Sequence, residues 1–116
     1  MENFEVVRED RKGVSILRLK GFLDAHTAPQ FEQAIQDLIT EKRYRIIISM
    51  SDLSYISSAG LGVFMGFIEE IRLEEGDIKL SNMTDKVFKV FDLLGFPALY
   101  QIFKEEAEAE EEYSKG

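Results

Sequence analysis

Two adjacent serines, followed by small residues and glycines, are the residues of this sequence whose types and spacing are best suited to a chemical role. They lie in the segment Ser57-Ser58-Ala59-Gly60-Leu61-Gly62, at the start of a helical pattern. A hydroxyl at a helix N-terminus suits regulatory phosphorylation, because the helix dipole and its free amides tolerate the charge of about −1.5 to −2 on a phosphoserine. The alternative is that Ser57 is only an N-cap and Ser58 only a first-turn residue.

The glycines of this segment suggest a second chemistry, a dinucleotide site. Gly60, Gly62 and Gly66 form a string close to the Rossmann fingerprint. That fingerprint sits directly on a strand end, whereas about ten residues separate Met50 from Gly60, and no acid ends the next strand at 78–80. The spacing disfavours a dinucleotide, and we expect the three glycines to let the helix approach a neighbouring strand closely.

A third chemistry, nucleophilic catalysis, has only one set of residues available. Ser58, His26 and Asp24 are the one Ser-His-Asp set that can be assembled, no G-x-S-x-G elbow is present, and His26 fits a solvated loop. The chain has no cysteine and a single histidine, which disfavours metal sites. We therefore predict a protein that is not an enzyme and that needs no cofactor or metal.

The elements that must position these residues follow from the apolar patterns. Alternation at Phe4, Val6 and residues 14–19, around a polar segment ending in Gly13, predicts a hairpin. Thr27-Ala28-Pro29-Gln30 fits a capping box, and helical spacing then extends to about residue 40.

The second half of the chain alternates strands and helices. The continuous apolar run 46–48 predicts a strand that is covered on both faces, and the turn-rich segment 51–58 leads to a helix from about Ser58. A short strand at 78–80 and a helix from Thr84 to Gly95 follow, and residues 99–103 are a last strand or an extended packing segment. This order predicts an α/β fold with a mixed sheet, an antiparallel edge hairpin and helices packed on it.

Composition and charge limit the classes of function that this protein can have. The 116 residues, 45% hydrophobic and 31% charged, suit one domain with one core. A net charge of −8 without a local basic patch disfavours nucleic acid and anionic lipid as partners. The absence of cysteine suits a cytoplasmic protein. We also expect neither a membrane span nor a signal peptide.

The acidic charge is concentrated at the C-terminal end. Residues 104–116 contain six glutamates and two lysines, so half of the net charge lies there. With little to bury, this segment is predicted to be a frayed acidic extension that follows a domain spanning 1–103.

Two motifs together resemble a known family. The segment from Asp52 to Val63, with Ser57-Ser58-Ala59-Gly60-Leu61-Gly62 at its centre, resembles the signature of STAS domains, specifically of the small bacterial anti-sigma factor antagonists. The segment Gly21-Phe22-Leu23-Asp24 resembles their first loop. The resemblance covers residues 4–103 and includes the order of elements, so it implies a single STAS-type domain.

The resemblance implies a phosphorylation switch. In that family the unmodified domain binds an anti-sigma factor that is also a serine kinase and thereby frees the sigma factor. The kinase then phosphorylates a serine, the antagonist is released, and a serine phosphatase restores it. Ser58 matches that serine, and Asp24 matches the loop acid beside it that contributes to the kinase contact. Ser57, Ala59, Gly60 and Leu61 complete the expected partner-binding segment.

One residue departs from the family pattern. The family usually has Asp before the switch serine, whereas this chain has Ser57 there, so Ser57 is a second candidate for modification. STAS domains without regulatory phosphorylation also exist. The alternative function is therefore a STAS subunit of a transporter or signalling scaffold that binds protein or a small ligand without a kinase.

Overall fold

A computed structural model describes residues 3–115 and shows five strands and four helices among them. In chain order these elements are β1 Phe4–Arg11, β2 Val14–Leu23, α1 Ala28–Thr40, β3 Arg45–Ile56, α2 Ser58–Leu73, β4 Asp77–Ser81, α3 Asp85–Leu93, β5 Ile102–Phe103 and α4 Glu106–Lys115. A short 3-10 turn, Phe96–Ala98, precedes β5.

The strands form one mixed sheet in the order β1-β2-β3-β4-β5. β1 and β2 are antiparallel, and the other pairs are parallel. This confirms the predicted α/β fold with an antiparallel hairpin at one edge. The crossovers through α1, α2 and α3 place these helices against one face of the sheet, as right-handed βαβ connections require.

The main core fills the space between that face and the helices α1 to α3. Phe64 of α2 lies at its centre and is fully buried. Its ring makes edge contacts with Phe31, Phe91 and Tyr100 at centroid distances of 5.0, 5.5 and 6.4 Å. The Tyr100 hydroxyl also donates a hydrogen bond of 2.9 Å to the carbonyl oxygen of Phe64. This cluster fixes α2 on the sheet.

β3 is longer than its apolar run predicts. It continues from Arg45 to Ile56, so the segment that we expected to be turn-rich belongs to the strand. Its far end pairs with β2 through Leu23 and Ile56, after two register shifts in which β3 has one extra residue opposite Arg18–Lys20 and another opposite Gly21–Phe22. These irregularities break the two-residue alternation that marks a strand in sequence.

This extension also removes one argument about the glycines. Because β3 ends at Ile56, α2 begins directly after the strand. The predicted gap of ten residues between the strand end and the glycines, which disfavoured a dinucleotide site, is therefore wrong. The second argument stands, since β4 ends in Ser81 and carries no acid at that end.

The acidic C-terminal segment is an ordered helix, which corrects the prediction of a frayed extension. α4 lies on the other face of the sheet and buries Ala109 and Tyr113 in a second cluster with Val14, Ile16 and Ile47. The Tyr113 hydroxyl accepts a hydrogen bond from the amide of Ile46 (3.0 Å) and lies 2.8 and 2.6 Å from the carbonyl oxygens of Ile46 and Asp77.

The glutamates of α4 bind basic residues of the sheet. The carboxylate of Glu106 accepts two hydrogen bonds of 2.8 Å from the Arg18 guanidinium, and Glu110 lies 2.5 Å from Arg11. The helix therefore has a partner of opposite charge, which the charge run alone does not reveal.

Protonation or removal of the Glu106 carboxylate is expected to loosen α4. The hydrogen bonds from Arg18 hold the pKa of Glu106 below its ordinary value, against the opposing effect of burial. A lowered pKa in the folded state means that this stabilisation is present at neutral pH and is lost as pH falls through that pKa. Glu106→Gln should therefore lower the hydrogen-exchange protection factors of the α4 amides at pH 7, and the protection factors of the parent should fall in the same way in acid.

The exposed Glu111 on the same helix supplies the control. Glu111→Gln should leave α4 exchange close to that of the parent. Equal protection in the Glu106 variant and the parent would show that the ion pairs do not hold the helix.

Candidate functional site

The two sequence motifs meet at one edge of the sheet. The amide of Ser57 donates a hydrogen bond of 2.9 Å to the carbonyl oxygen of Leu23, and Leu23 pairs with Ile56 in the β2–β3 ladder. Asp24 follows Leu23, and Ser58 follows Ser57. The carboxyl ends of β2 and β3 therefore place the acidic loop and the serine pair on neighbouring segments.

Ser57 and Ser58 have different environments. Ser58 is the first residue of α2 and is exposed. Ser57 is the N-cap, with extended backbone, but its side chain makes no capping hydrogen bond. The Ser57 hydroxyl oxygen is buried and finds no hydrogen-bond partner among residues 3–115. The hydroxyl that a second protein can reach is that of Ser58.

Asp24 organises its own loop. Its Oδ1 atom accepts hydrogen bonds from the backbone amides of His26 (2.9 Å) and Thr27 (3.1 Å). These hydrogen bonds, that from Thr27 first, lower the pKa of Asp24, so the carboxylate is ionised at neutral pH. The contact with His26 uses the backbone amide and not the ring, so it is not the carboxylate–imidazole bond of a catalytic triad.

The capping box predicted at Thr27 does not form. Thr27 is the N-cap of α1 but makes no side-chain capping bond to that helix. Its hydroxyl instead donates to the carbonyl oxygen of Phe22 (2.8 Å) and accepts from the amide of Asp24 (2.9 Å). The β2–α1 loop offers the hydroxyl closer partners than the helix does, and the result is a rigid turn around Asp24.

The small residues of α2 divide between core and surface. Gly60 is buried, and a Cβ there would lie 2.7 Å from Cγ of Leu23, so its close approach to the neighbouring strand is confirmed. Gly62 and Gly66 face open space, and the same prediction is wrong for them. Ala59 is exposed beside Ser58.

Leu61 requires a correction. We expected it to contact a partner, but it is only 6% exposed and lies in the main core. Helical spacing places Leu61 and Phe64 on the same buried face of α2. The buried Gly60 likewise has no side chain to offer. The reachable residues of the predicted set are Asp24, Ser57 in part, Ser58 and Ala59.

Two aromatic residues at the same edge were missed from the sequence. Phe22 and Tyr55 are 47% and 43% exposed, and their ring centroids are 5.9 Å apart. Each precedes a buried residue, Leu23 and Ile56 respectively. Strand alternation with the buried Leu19 and Leu23 could have predicted that Phe22 points away from the core, but the register shift before Tyr55 hides the same prediction for Tyr55.

The two segments that carry the site contain neither lysine nor arginine. Neither residues 21–41 nor residues 46–71 contain Lys or Arg, whereas Asp24 contributes a carboxylate. A phosphate on Ser58 would therefore receive its stabilisation from helix amides and water and not from a cation of these segments.

The described residues offer little else for chemistry. Residues 3–115 contain no group of three or more His, Asp or Glu side chains placed to hold a metal ion. None of the helices in that range is long and apolar enough to cross a membrane.

Comparisons with known proteins agree with this geometry. The chain is 27% identical over 106 residues to the anti-sigma-B factor antagonist of Listeria monocytogenes, covering 91% of this chain and 92% of that one. It is 28% identical over 108 residues to the anti-sigma F factor antagonist of Paenibacillus polymyxa, covering 92% of each.

Two solved structures of the anti-sigma factor antagonist SpoIIAA have the same fold. The unphosphorylated form superposes with a TM-score of 0.81 at 26% identity, covering 97% of both chains. The phosphorylated Bacillus form gives a TM-score of 0.72 at 26% identity, covering 95% of this chain and 98% of that one. The STAS domain model matches residues 5–109. Together with the five-stranded fold and the serine-bearing edge, this match shows that the chain belongs to the STAS domain family.

Proposed function

We propose that this protein is an anti-sigma factor antagonist controlled by phosphorylation of Ser58. Its unphosphorylated form binds an anti-sigma factor serine kinase and frees the sigma factor. Phosphorylation by that kinase blocks binding, and a serine phosphatase restores it. The observation that carries the proposal is an exposed hydroxyl on the first residue of α2, on the segment next to the ionised Asp24 loop.

The relatives support the antagonist role. The Listeria and Paenibacillus proteins are named anti-sigma factor antagonists, and each aligns along nine-tenths of its length with this chain. SpoIIAA is known in both an unphosphorylated and a phosphorylated form, which supports a modification of the same kind here. The chain acts by binding, without a catalytic group, metal or cofactor of its own, and its cysteine-free composition suits the cytoplasm.

The choice of Ser58 over Ser57 rests on accessibility. A kinase must bring the γ-phosphate of ATP to the attacking hydroxyl oxygen. The Ser57 oxygen is buried, whereas Ser58 is exposed. Modification of Ser57 would require the N-terminus of α2 to open first.

The charge of one phosphate is sufficient for the switch. A hundredfold loss of affinity corresponds to about 2.7 kcal/mol. Enclosing a group of charge near −2 in an interface, beside Asp24 and without a cation from residues 46–71, removes its hydration and adds repulsion. These effects reach that magnitude without a conformational change.

Phosphate mapping tests the proposal. The protein is incubated with ATP and the purified anti-sigma factor kinases encoded in its own genome, and the modified residue is located by mass spectrometry. The parent and Ser57→Ala should take up phosphate, and Ser58→Ala should not. Phosphate that persists in Ser58→Ala and disappears in Ser57→Ala would contradict the site, and no uptake or binding with any of these kinases would contradict the function.

A further inference from the structure

Phe22 and Tyr55 form an exposed aromatic pair on the sheet at the carboxyl ends of β2 and β3. The two residues are partners in the parallel β2–β3 register, and both rings are tilted against each other at 5.9 Å. About half of each side chain stays in contact with solvent, although Leu23 and Ile56, the next pair in the ladder, are buried. The pair therefore adds an apolar surface that the core does not use.

This surface adjoins the serine-bearing edge. Tyr55 precedes Ser58 by three residues and Phe22 precedes Asp24 by two, so backbone geometry limits these separations to about 10 and 7 Å between Cα atoms. The hydrogen bond from the Ser57 amide to the Leu23 carbonyl oxygen closes the gap between the two segments. Ser58 and the aromatic pair therefore lie at the same edge of the sheet, close enough for one partner to contact both.

A partner that binds at this edge needs an apolar contact, and Leu61 cannot supply it because it is buried. Aromatic side chains are enriched in protein–protein interfaces, and tyrosine is among the residues most often found as energetic centres. Phe22 and Tyr55 provide such a contact without any rearrangement of the domain.

The charges near the pair define the chemistry of the partner. Asp24 is ionised, and residues 21–41 and 46–71 contain no Lys or Arg. On the other side of the pair, Lys20 lies opposite Asp52 in the register, so these two charges offset each other. The edge nearest Ser58 is thus exposed, aromatic and without a Lys or Arg of these two segments, and its complement is an apolar pocket.

We propose that Phe22 and Tyr55 are the apolar anchor through which the anti-sigma factor kinase holds this domain, in an apolar pocket beside the Ser58 site. This inference rests on the proposed function and assigns its binding energy to two residues outside the serine segment.

Affinity measurements with alanine variants test the anchor. The unphosphorylated full chain is titrated with the purified kinase from the same genome that phosphorylates it. Phe22→Ala and Tyr55→Ala should each weaken binding about tenfold or more. Met65→Ala removes an apolar side chain of similar exposure, 48%, two turns along α2, and should bind like the parent. Parent-like affinity in both aromatic variants overturns the inference, whatever Met65→Ala does.

Charged replacements test whether the contact at Tyr55 is apolar. Tyr55→Glu and Tyr55→Lys each place a charge at the same exposed position, and both should bind the kinase more weakly than the parent. Parent-like affinity in both variants overturns an apolar contact at Tyr55. Thermal unfolding of each variant verifies that the domain is folded before its affinity is compared.

Failure of the inference and failure of the proposed function give different results. If no kinase binds the parent or modifies Ser58, the proposed function fails. If a kinase binds the parent, modifies Ser58 and binds the aromatic variants equally well, only the anchor is wrong. Ser58 should still be phosphorylated in Phe22→Ala at high kinase concentration, because the acceptor itself is unchanged.

Discussion

Replacement of Phe64 with alanine is expected to lower the free energy of unfolding by about 3–5 kcal/mol. The side chain is fully buried and contacts aromatic rings from α1, α3 and the segment before β5. Alanine leaves a cavity between three elements, and the sheet behind them limits how far they can collapse. Because a domain of this size is stable by about 5–15 kcal/mol, this loss is a large part of the total.

Chemical denaturation of the parent and Phe64→Ala measures this effect. Leu93→Ala is the control, because Leu93 is 85% exposed at the end of α3 and should change stability by no more than about 0.5 kcal/mol. A loss below about 1 kcal/mol for Phe64→Ala would contradict the central role of this ring.

Ser58→Asp is expected to weaken kinase binding about a hundredfold, which corresponds to about 2.7 kcal/mol. The carboxylate brings a negative charge to the position that the phosphate would occupy, on the segment next to Asp24 and with no cation in residues 46–71. The variant should fold like the parent, since an acidic residue in the first turn of a helix interacts favourably with the helix dipole. Affinity and thermal unfolding are measured on the same preparation.

Ser114→Asp is the matched control for added charge. Ser114 is exposed in α4, on a helix that already carries several glutamates, and its substitution should leave kinase affinity unchanged. Equal affinity of Ser58→Asp and the parent would show that charge at this position does not control binding.

Local sequence patterns predicted most of the elements. The helix beginning at Thr84 forms as expected, with the Thr84 hydroxyl accepting a hydrogen bond of 3.2 Å from the Val87 amide. Gly95 follows α3 with a φ of 80°, the conformation expected of a glycine that ends a helix. Such signals can be recognised in the sequence because the residues that interact lie within a few positions of each other.

Two predictions failed for different reasons, a competing local turn in one case and a partner far along the chain in the other. The Thr27 hydroxyl binds Phe22 and Asp24 instead of its own helix. The end of β3 is a strand because β2 pairs with it across two register shifts, which local alternation does not encode. The partners of Thr27 lie only three and five residues before it, so one local arrangement displaces another. At the end of β3, in contrast, a tertiary pairing outcompetes the local preference.

The sequence by itself determined the class of fold, the family and the serine pair at the start of α2, because these depend on local periodicity and on motifs of fixed spacing. Only the tertiary structure decided which site residues a partner can reach. Leu61 is buried while Phe22 and Tyr55 are exposed, because exposure depends on what packs on each face of the sheet.

The acidic C-terminal segment illustrates the same division. Its composition predicts repulsion and fraying, but Arg18, 88 residues before Glu106, supplies the opposite charge. Tyr113 reaches the backbone of β3 in the same way. The structure that a run of charged residues adopts depends on the surface against which it packs, and only the folded sheet provides that surface.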